Sequence, residues 1–218
     1  KHKVLLPAFK ELSRRIGSER VIWRYDPILF NEKYTPEYHL RAVRSIAEEL
    51  EGCTEKCVIS FVDTYRKNKK SIEALGAHDT LPTEGEFRAF AAELASIVRE
   101  HGMACASCAE KVNLADCGIE HNCCKLIERL LGCPVGVKKD KTQRLECGCV
   151  ASIDIGSYNT CRHGCRYCYA NFNPETVERN CAAYDPSSPL LCDQLRDDDV
   201  VTERKMKRLA SDQTVLPL

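Results

Sequence analysis

Val21-Ile22-Trp23-Arg24-Tyr25-Asp26 passes from apolar to polar and then meets Pro27. An apolar run without alternation, closed by a breaker, fits a strand covered on both faces. Cys57-Val58-Ile59-Ser60-Phe61-Val62-Asp63 repeats the design and again ends on a carboxylate. Met103-Ala104-Cys105-Ala106-Ser107-Cys108-Ala109-Glu110 is the third such stretch. Helical patterns lie around and between them. Residues 3–16 read as a helix stopped by Gly17. Thr35-Pro36-Glu37 opens another, with a capping hydroxyl, a proline at the first helical position and an early acid, and it runs to about Glu51. A short helix is expected near Ile72–Leu75. Thr83-Glu84-Gly85-Glu86 has the form of a capping box, and its helix continues through Phe87, Phe90, Leu94 and Val98 until Gly102. Strand alternating with helix is the rhythm of a parallel α/β sheet.

The three strands end in Arg24 and Asp26, in Asp63, and in Cys108 and Glu110. In (β/α) barrels the chemistry sits at that edge. Arg24, Asp26, Asp63 and Glu110 are therefore candidate pocket residues, with Arg24 suited to a carboxylate or phosphate. The alternative is that polar residues mark where the strands surface.

Beyond Glu110 the texture changes. The 218-residue chain carries 15 cysteines, and all but Cys53 and Cys57 lie from Cys105 onward. Cys161-Arg162-His163-Gly164-Cys165-Arg166-Tyr167-Cys168 places three thiols at C-x3-C-x2-C spacing, with Gly164 allowing a tight turn. Three thiolates on one loop can ligate three irons of a [4Fe–4S] cubane and leave the fourth open to an exogenous ligand. In radical enzymes that ligand is S-adenosylmethionine. Structural zinc, which favours four closed ligands from paired knuckles, is the main rival. His163 is a candidate donor to a cluster sulfur, or simply a solvent-facing ring. Tyr167 is a candidate shield or stacking partner for the bound group, or a packing residue. Cys147-Gly148-Cys149 is a second tight pair, and Cys108 and Cys124 are candidates to complete a four-cysteine site holding either a second cluster or zinc. Cys124–Leu131 reads as a helix, and Asn173-Pro174-Glu175 caps another.

The charge balance of 32 basic against 32 acidic residues argues against a nucleic-acid-binding domain, which carries a basic excess. No run of about 18 apolar residues exists to span a membrane. P-loop, G-x-S-x-G and H-E-x-x-H motifs are absent. An odd number of cysteines beside long amphipathic helices fits a reducing cytoplasm better than a disulfide scaffold. The start at Lys1, without Met, reads as the interior of a larger protein.

Several stretches together resemble a bacterial family, domain of unknown function eighteen-forty-eight. They are Glu19 through Ile28, Lys56 through Phe61, Cys108-Ala109-Glu110, Gly118-Ile119-Glu120-His121 with Cys124, Glu146-Cys147-Gly148-Cys149, Asp154-Ile155-Gly156, and Tyr158-Asn159-Thr160-Cys161 on to Tyr169-Ala170-Asn171. The resemblance implies a barrel related to radical S-adenosylmethionine enzymes, with the cluster motif near the C-terminus and further strands preceding this chain. The expected architecture is thus a partial (β/α) TIM-type barrel over 1–110, with a cysteine-rich iron–sulfur extension over 111–218. Its partners would be the missing N-terminal barrel segment, an external electron donor and a substrate that the sequence leaves unknown. No Gly-Gly-Glu segment is present to hold the cofactor's amino group. A non-enzymatic zinc- or cluster-stapled module for recognition or electron transfer is the alternative function.

Overall fold

The computed structural model describes residues 2–122, 135 and 138–205. They fall into two compact units. The first draws its described residues from 2–63 and 77–151, the second from 64–76 and 152–205.

The first unit is built on a parallel sheet. Helix α1 (His2–Ile16) ends at Gly17, whose φ of 96° suits glycine. Strand β1 (Trp23–Ile28), helix α2 (Pro36–Leu50), strand β2 (Lys56–Phe61), helix α4 (Glu84–Glu100) and strand β3 (Ala104–Ser107) follow, and a two-residue strand β4 (Glu120–His121) completes the order β1-β2-β3-β4. Helix α3 (Lys69–Ala74) belongs to the second unit. The pairings between these four strands are all parallel, with Trp23 opposite Cys57, Cys57 opposite Cys105 and Ala106 opposite Glu120. The helices start where the caps place them. Thr35 accepts from the Tyr38 amide, and Thr83 and Glu86 close the expected reciprocal box.

One sheet face carries Trp23, Cys57, Ile59, Phe61 and Cys105 into a core with Val43, Ala47 and Leu50 of α2 and Phe90, Leu94 and Val98 of α4. Val58 and Ala106, on the alternate face, are buried outside that cluster. Strand β2 is therefore covered on both sides, as its continuous apolar run requires. His39, on the buried face of α2, donates from Nε2 to the Leu29 carbonyl at 2.9 Å and accepts from the Tyr25 hydroxyl at 2.8 Å. Burial depresses its pKa, and it stays a neutral tie between α2 and the end of β1.

The described strands form an open four-stranded parallel sheet with β1 and β4 at its edges, which agrees with the expected α/β class. Two expectations need correction. Strand β1 does not stop before Pro27 but runs through it to Ile28. Pro27 lacks an N–H, yet it lies on an edge strand where the register shifts between Tyr25 and Ile28, so no ladder bond is lost. Strand β3 is shorter than its apolar run, ending at Ser107.

The second unit has no described strand. It joins α3 to a long loop region and to helix α5 (Pro174–Ala182), capped by Asn173 as expected. The helix expected over Cys124–Leu131, with Cys124 itself, lies outside the described residues.

Candidate metal centre

The three-cysteine loop is set by its base. Asn159 has a left-handed φ of 57°, a conformation that asparagine tolerates better than most residues. Its amide donates to the Ala170 carbonyl at 2.9 Å. Its Oδ1 accepts from the amides of Phe172 at 3.0 Å and Asn173 at 3.2 Å. The Asn180 side chain of α5 donates to its carbonyl at 3.1 Å. One nearly buried side chain thus pins together the two ends of the loop, and Asn171 adds a bond from Nδ2 to the Cys161 carbonyl at 2.9 Å. Within the loop, Gly164 takes φ 65° and the Cys168 amide donates to the Cys165 carbonyl at 3.0 Å, which turns the chain between the last two thiols. Asn68, 2 % exposed, donates from Nδ2 to the Tyr167 carbonyl at 2.9 Å and so ties α3 to the loop.

Cys161, Cys165 and Cys168 all border one cavity of about 360 Å³. Lys67, Arg162 and Arg166 share its wall. Lys67 sits 4.1 Å from the ring centre of Tyr158 and 5.0 Å from that of Phe172. Arg162 faces Glu178 of α5 at 3.6 Å. Cys161 is exposed, and Cys165 and Cys168 are half-buried. Cys181 is turned elsewhere, its thiol donating to the Thr160 carbonyl at 3.6 Å. His163 and Tyr167 do not line the cavity, and Tyr167 contributes its carbonyl to Asn68. Among the described residues no three His, Cys, Asp or Glu side chains already converge on one metal position. The donor set still fits a cubane: three thiols on a common cavity, cations to offset a thiolate-bound cluster, and the neighbouring Cys181 engaged away from the three.

The strand-end residues lie in the first unit. Arg24 and Asp26 project from the same side of β1 and pair, with Nε 2.8 Å from Oδ2. The Arg24 guanidinium also meets the Cys108 side chain. Asp63 pairs with Arg144 at 2.5 Å. Glu110 accepts from the Phe61 amide at 2.9 Å and borders a cavity of about 280 Å³ with Ser107, His121 and Glu146. Cys147 is buried, Cys149 is half-buried, and the Cys149 amide approaches the Cys147 sulfur at 3.4 Å.

Burial pushes the Glu110 carboxyl above its ordinary value of 4.5, against the opposing Phe61 amide, and the nearby Asp63 pushes the same way. Between the ordinary and the raised value, the folded chain holds a proton that the unfolded chain has released. Stability therefore falls as pH rises through that window. Glu110→Gln keeps an acceptor for the Phe61 amide and removes the titration. Denaturant midpoints measured from pH 4 upward should show wild type losing ground to the variant above about pH 4.5, and parallel profiles would contradict this.

The family model for DUF1848, a domain of unknown function, matches residues 1–170. The chain belongs to the DUF1848 family. The matched region of this DUF1848 chain includes all three loop cysteines and the Asn159 base. No curated protein and no solved structure matches it. Among the described residues no helix is long and apolar enough to cross a membrane.

Sequence patterns did not single out Asn68 or Asn159. Each is a buried polar residue with a partner among distant backbone groups, Asn68 also accepting from the Tyr65 amide three residues away, and only Asn159, directly before Thr160-Cys161, stood within a noted motif.

Proposed function

We propose that this DUF1848 chain is the cluster-bearing part of a cytoplasmic iron–sulfur protein of radical S-adenosylmethionine type, its open sheet a segment of a (β/α) TIM-type barrel. The observation that carries the reading is that the three thiols of the C-x3-C-x2-C loop line a single cavity with three cations. Cys161, Cys165 and Cys168 would hold a [4Fe–4S] cluster, which when bound supplies an open iron for S-adenosylmethionine and the electron that cleaves it. Lys67, Arg162 and Arg166 offset the negative charge of the thiolates. Asn159, Asn68 and Asn171 hold the loop backbone so that the sulfurs keep their common cavity. The Arg24–Asp26 pair, Asp63 and Glu110 offer a polar lining for a substrate at the ends of the strands. An external donor supplies the electron.

Iron, acid-labile sulfide and zinc should be measured on anaerobically prepared protein, followed by electron paramagnetic resonance with S-adenosylmethionine added. Iron and sulfide near one cubane per chain, with a signal moved by the cofactor, is the expected result. Stoichiometric zinc without sulfide would overturn it in favour of a zinc-stapled recognition module. One observation favours a second metal site in either case: the Cys149 amide directed at the Cys147 sulfur, the polarity that stabilises a bound thiolate. Cys108 and Cys124 are its proposed companions.

A further inference from the structure

The chain as a whole has no net charge, but the surroundings of the cysteine loop do. Arg66, Lys67, Lys69 and Lys70 flank Asn68 with no acid among them, and Arg162 and Arg166 lie within the loop. The bond from buried Asn68 to the Tyr167 carbonyl and the contact of the Tyr65 and Tyr169 rings at 5.0 Å make these two stretches one surface. Among the described residues two carboxylates pair with the six cations, Glu73 at 3.9 Å from Lys69 and Glu178 at 3.6 Å from Arg162.

The cations divide by position. Lys67, Arg162 and Arg166 line the cysteine cavity, where they offset a bound cluster. Arg66, Lys69 and Lys70 are exposed and do not line it. Their charge is therefore directed outward, beside the loop through which an electron must enter.

We propose that this outer basic face docks an acidic one-electron carrier protein of the ferredoxin or flavodoxin type. The proposal rests on the cluster reading given above. The exchange is a single electron: the carrier is oxidised by one, the [4Fe–4S] cluster is reduced by one, and no bond or proton changes place. Complementary charge steers such encounters and holds them weakly enough for turnover. A polynucleotide fits less well, because the chain as a whole lacks the basic excess of a nucleic-acid-binding domain, with 32 basic against 32 acidic residues.

The test is a triple variant, R66E/K69E/K70E, with K69Q/K70Q as a milder second variant, all carried through anaerobic iron and sulfide analysis. The probe is a purified acidic [2Fe–2S] ferredoxin. Its dissociation constant is measured at low and at physiological salt, and cluster reduction is followed with reduced ferredoxin and separately with dithionite. Wild type should bind, and more weakly as salt rises. The triple variant should keep its iron, sulfide and dithionite reduction while its ferredoxin affinity falls tenfold or more, with K69Q/K70Q in between. Full cluster content with ferredoxin binding that is absent, or indifferent to all these substitutions, overturns the docking face and leaves the cluster standing. Charge-dependent binding by a chain that holds no iron does the reverse. Charge-dependent retention of a single-stranded RNA oligonucleotide, without ferredoxin binding, also overturns the proposal.

Discussion

Cys165→Ala is expected to reduce iron and sulfide below a tenth of the wild-type content while leaving the first unit folded. Cys165 contributes two separable things to the loop. Its carbonyl accepts from the Cys168 amide at 3.0 Å, and alanine preserves that turn. Its sulfur lines the cavity shared with Cys161 and Cys168, and alanine removes it. Two thiols on one side of a cubane leave two irons without protein ligands, so assembly fails rather than weakens. The first unit shares no residue with this loop, and its core is made by β1–β3 with α2 and α4. Trp23, the single tryptophan, is 6 % exposed in that core. Its fluorescence should therefore report an unfolding transition within about 0.5 kcal/mol of wild type, the usual range for a substitution remote from the probe's core. Cys181→Ala is the control, because that thiol bonds to the Thr160 carbonyl and should be dispensable for iron. Full iron and sulfide in Cys165→Ala would falsify the ligand assignment.

What was legible in the sequence was whatever depends on near neighbours. Thr35 with Pro36, and Thr83 with Glu86, start helices through bonds spanning three residues, so their starts could be read directly. The apolar runs of β1 and β2 could be read as doubly covered strands because their composition permits little else. Pro27 misled because the rule that proline ends a strand holds only inside a sheet. That β1 is an edge strand is a fact of topology, not of local sequence. Strand β4 gave no signal at all. Glu120 and His121 are exposed and polar, and they form a strand only because Ala106 and Ser107 lie beside them. The same division runs through the candidate site. Three thiols at a fixed spacing are visible in the chain. The attachment of residues 64–76 to the loop is not, since Asn68 and Tyr167 lie 99 positions apart. With that attachment comes the basic face, whose two stretches, around Asn68 and within the cysteine loop, lie far apart in the chain.

Asn159→Ala should release the loop with every cysteine intact. Two costs combine. The Oδ1 that accepts the Phe172 and Asn173 amides disappears, and at 7 % exposure water replaces it poorly. Each such loss costs on the order of 1 kcal/mol. The φ of 57° is also harder for alanine, by roughly another 1 kcal/mol. The second unit should therefore lose about 2–4 kcal/mol. Two further variants separate the costs. Asn159→Gly accepts the backbone angle but supplies no oxygen, so it should fall between alanine and wild type. Asn159→Asp keeps an acceptor for both amides and should stay nearest to wild type. Amide hydrogen exchange over residues 159–182 is the direct measurement, because Trp23 reports only on the first unit. Exchange should quicken in the order aspartate, glycine, alanine, and iron content should fall in the same order. Equal protection in all three would mean that the loop is held by the Ala170 and Asn180 contacts alone. Iron lost in step with protection, while Cys161, Cys165 and Cys168 remain, would make the loop's closure and not only its thiols the condition for holding a cluster.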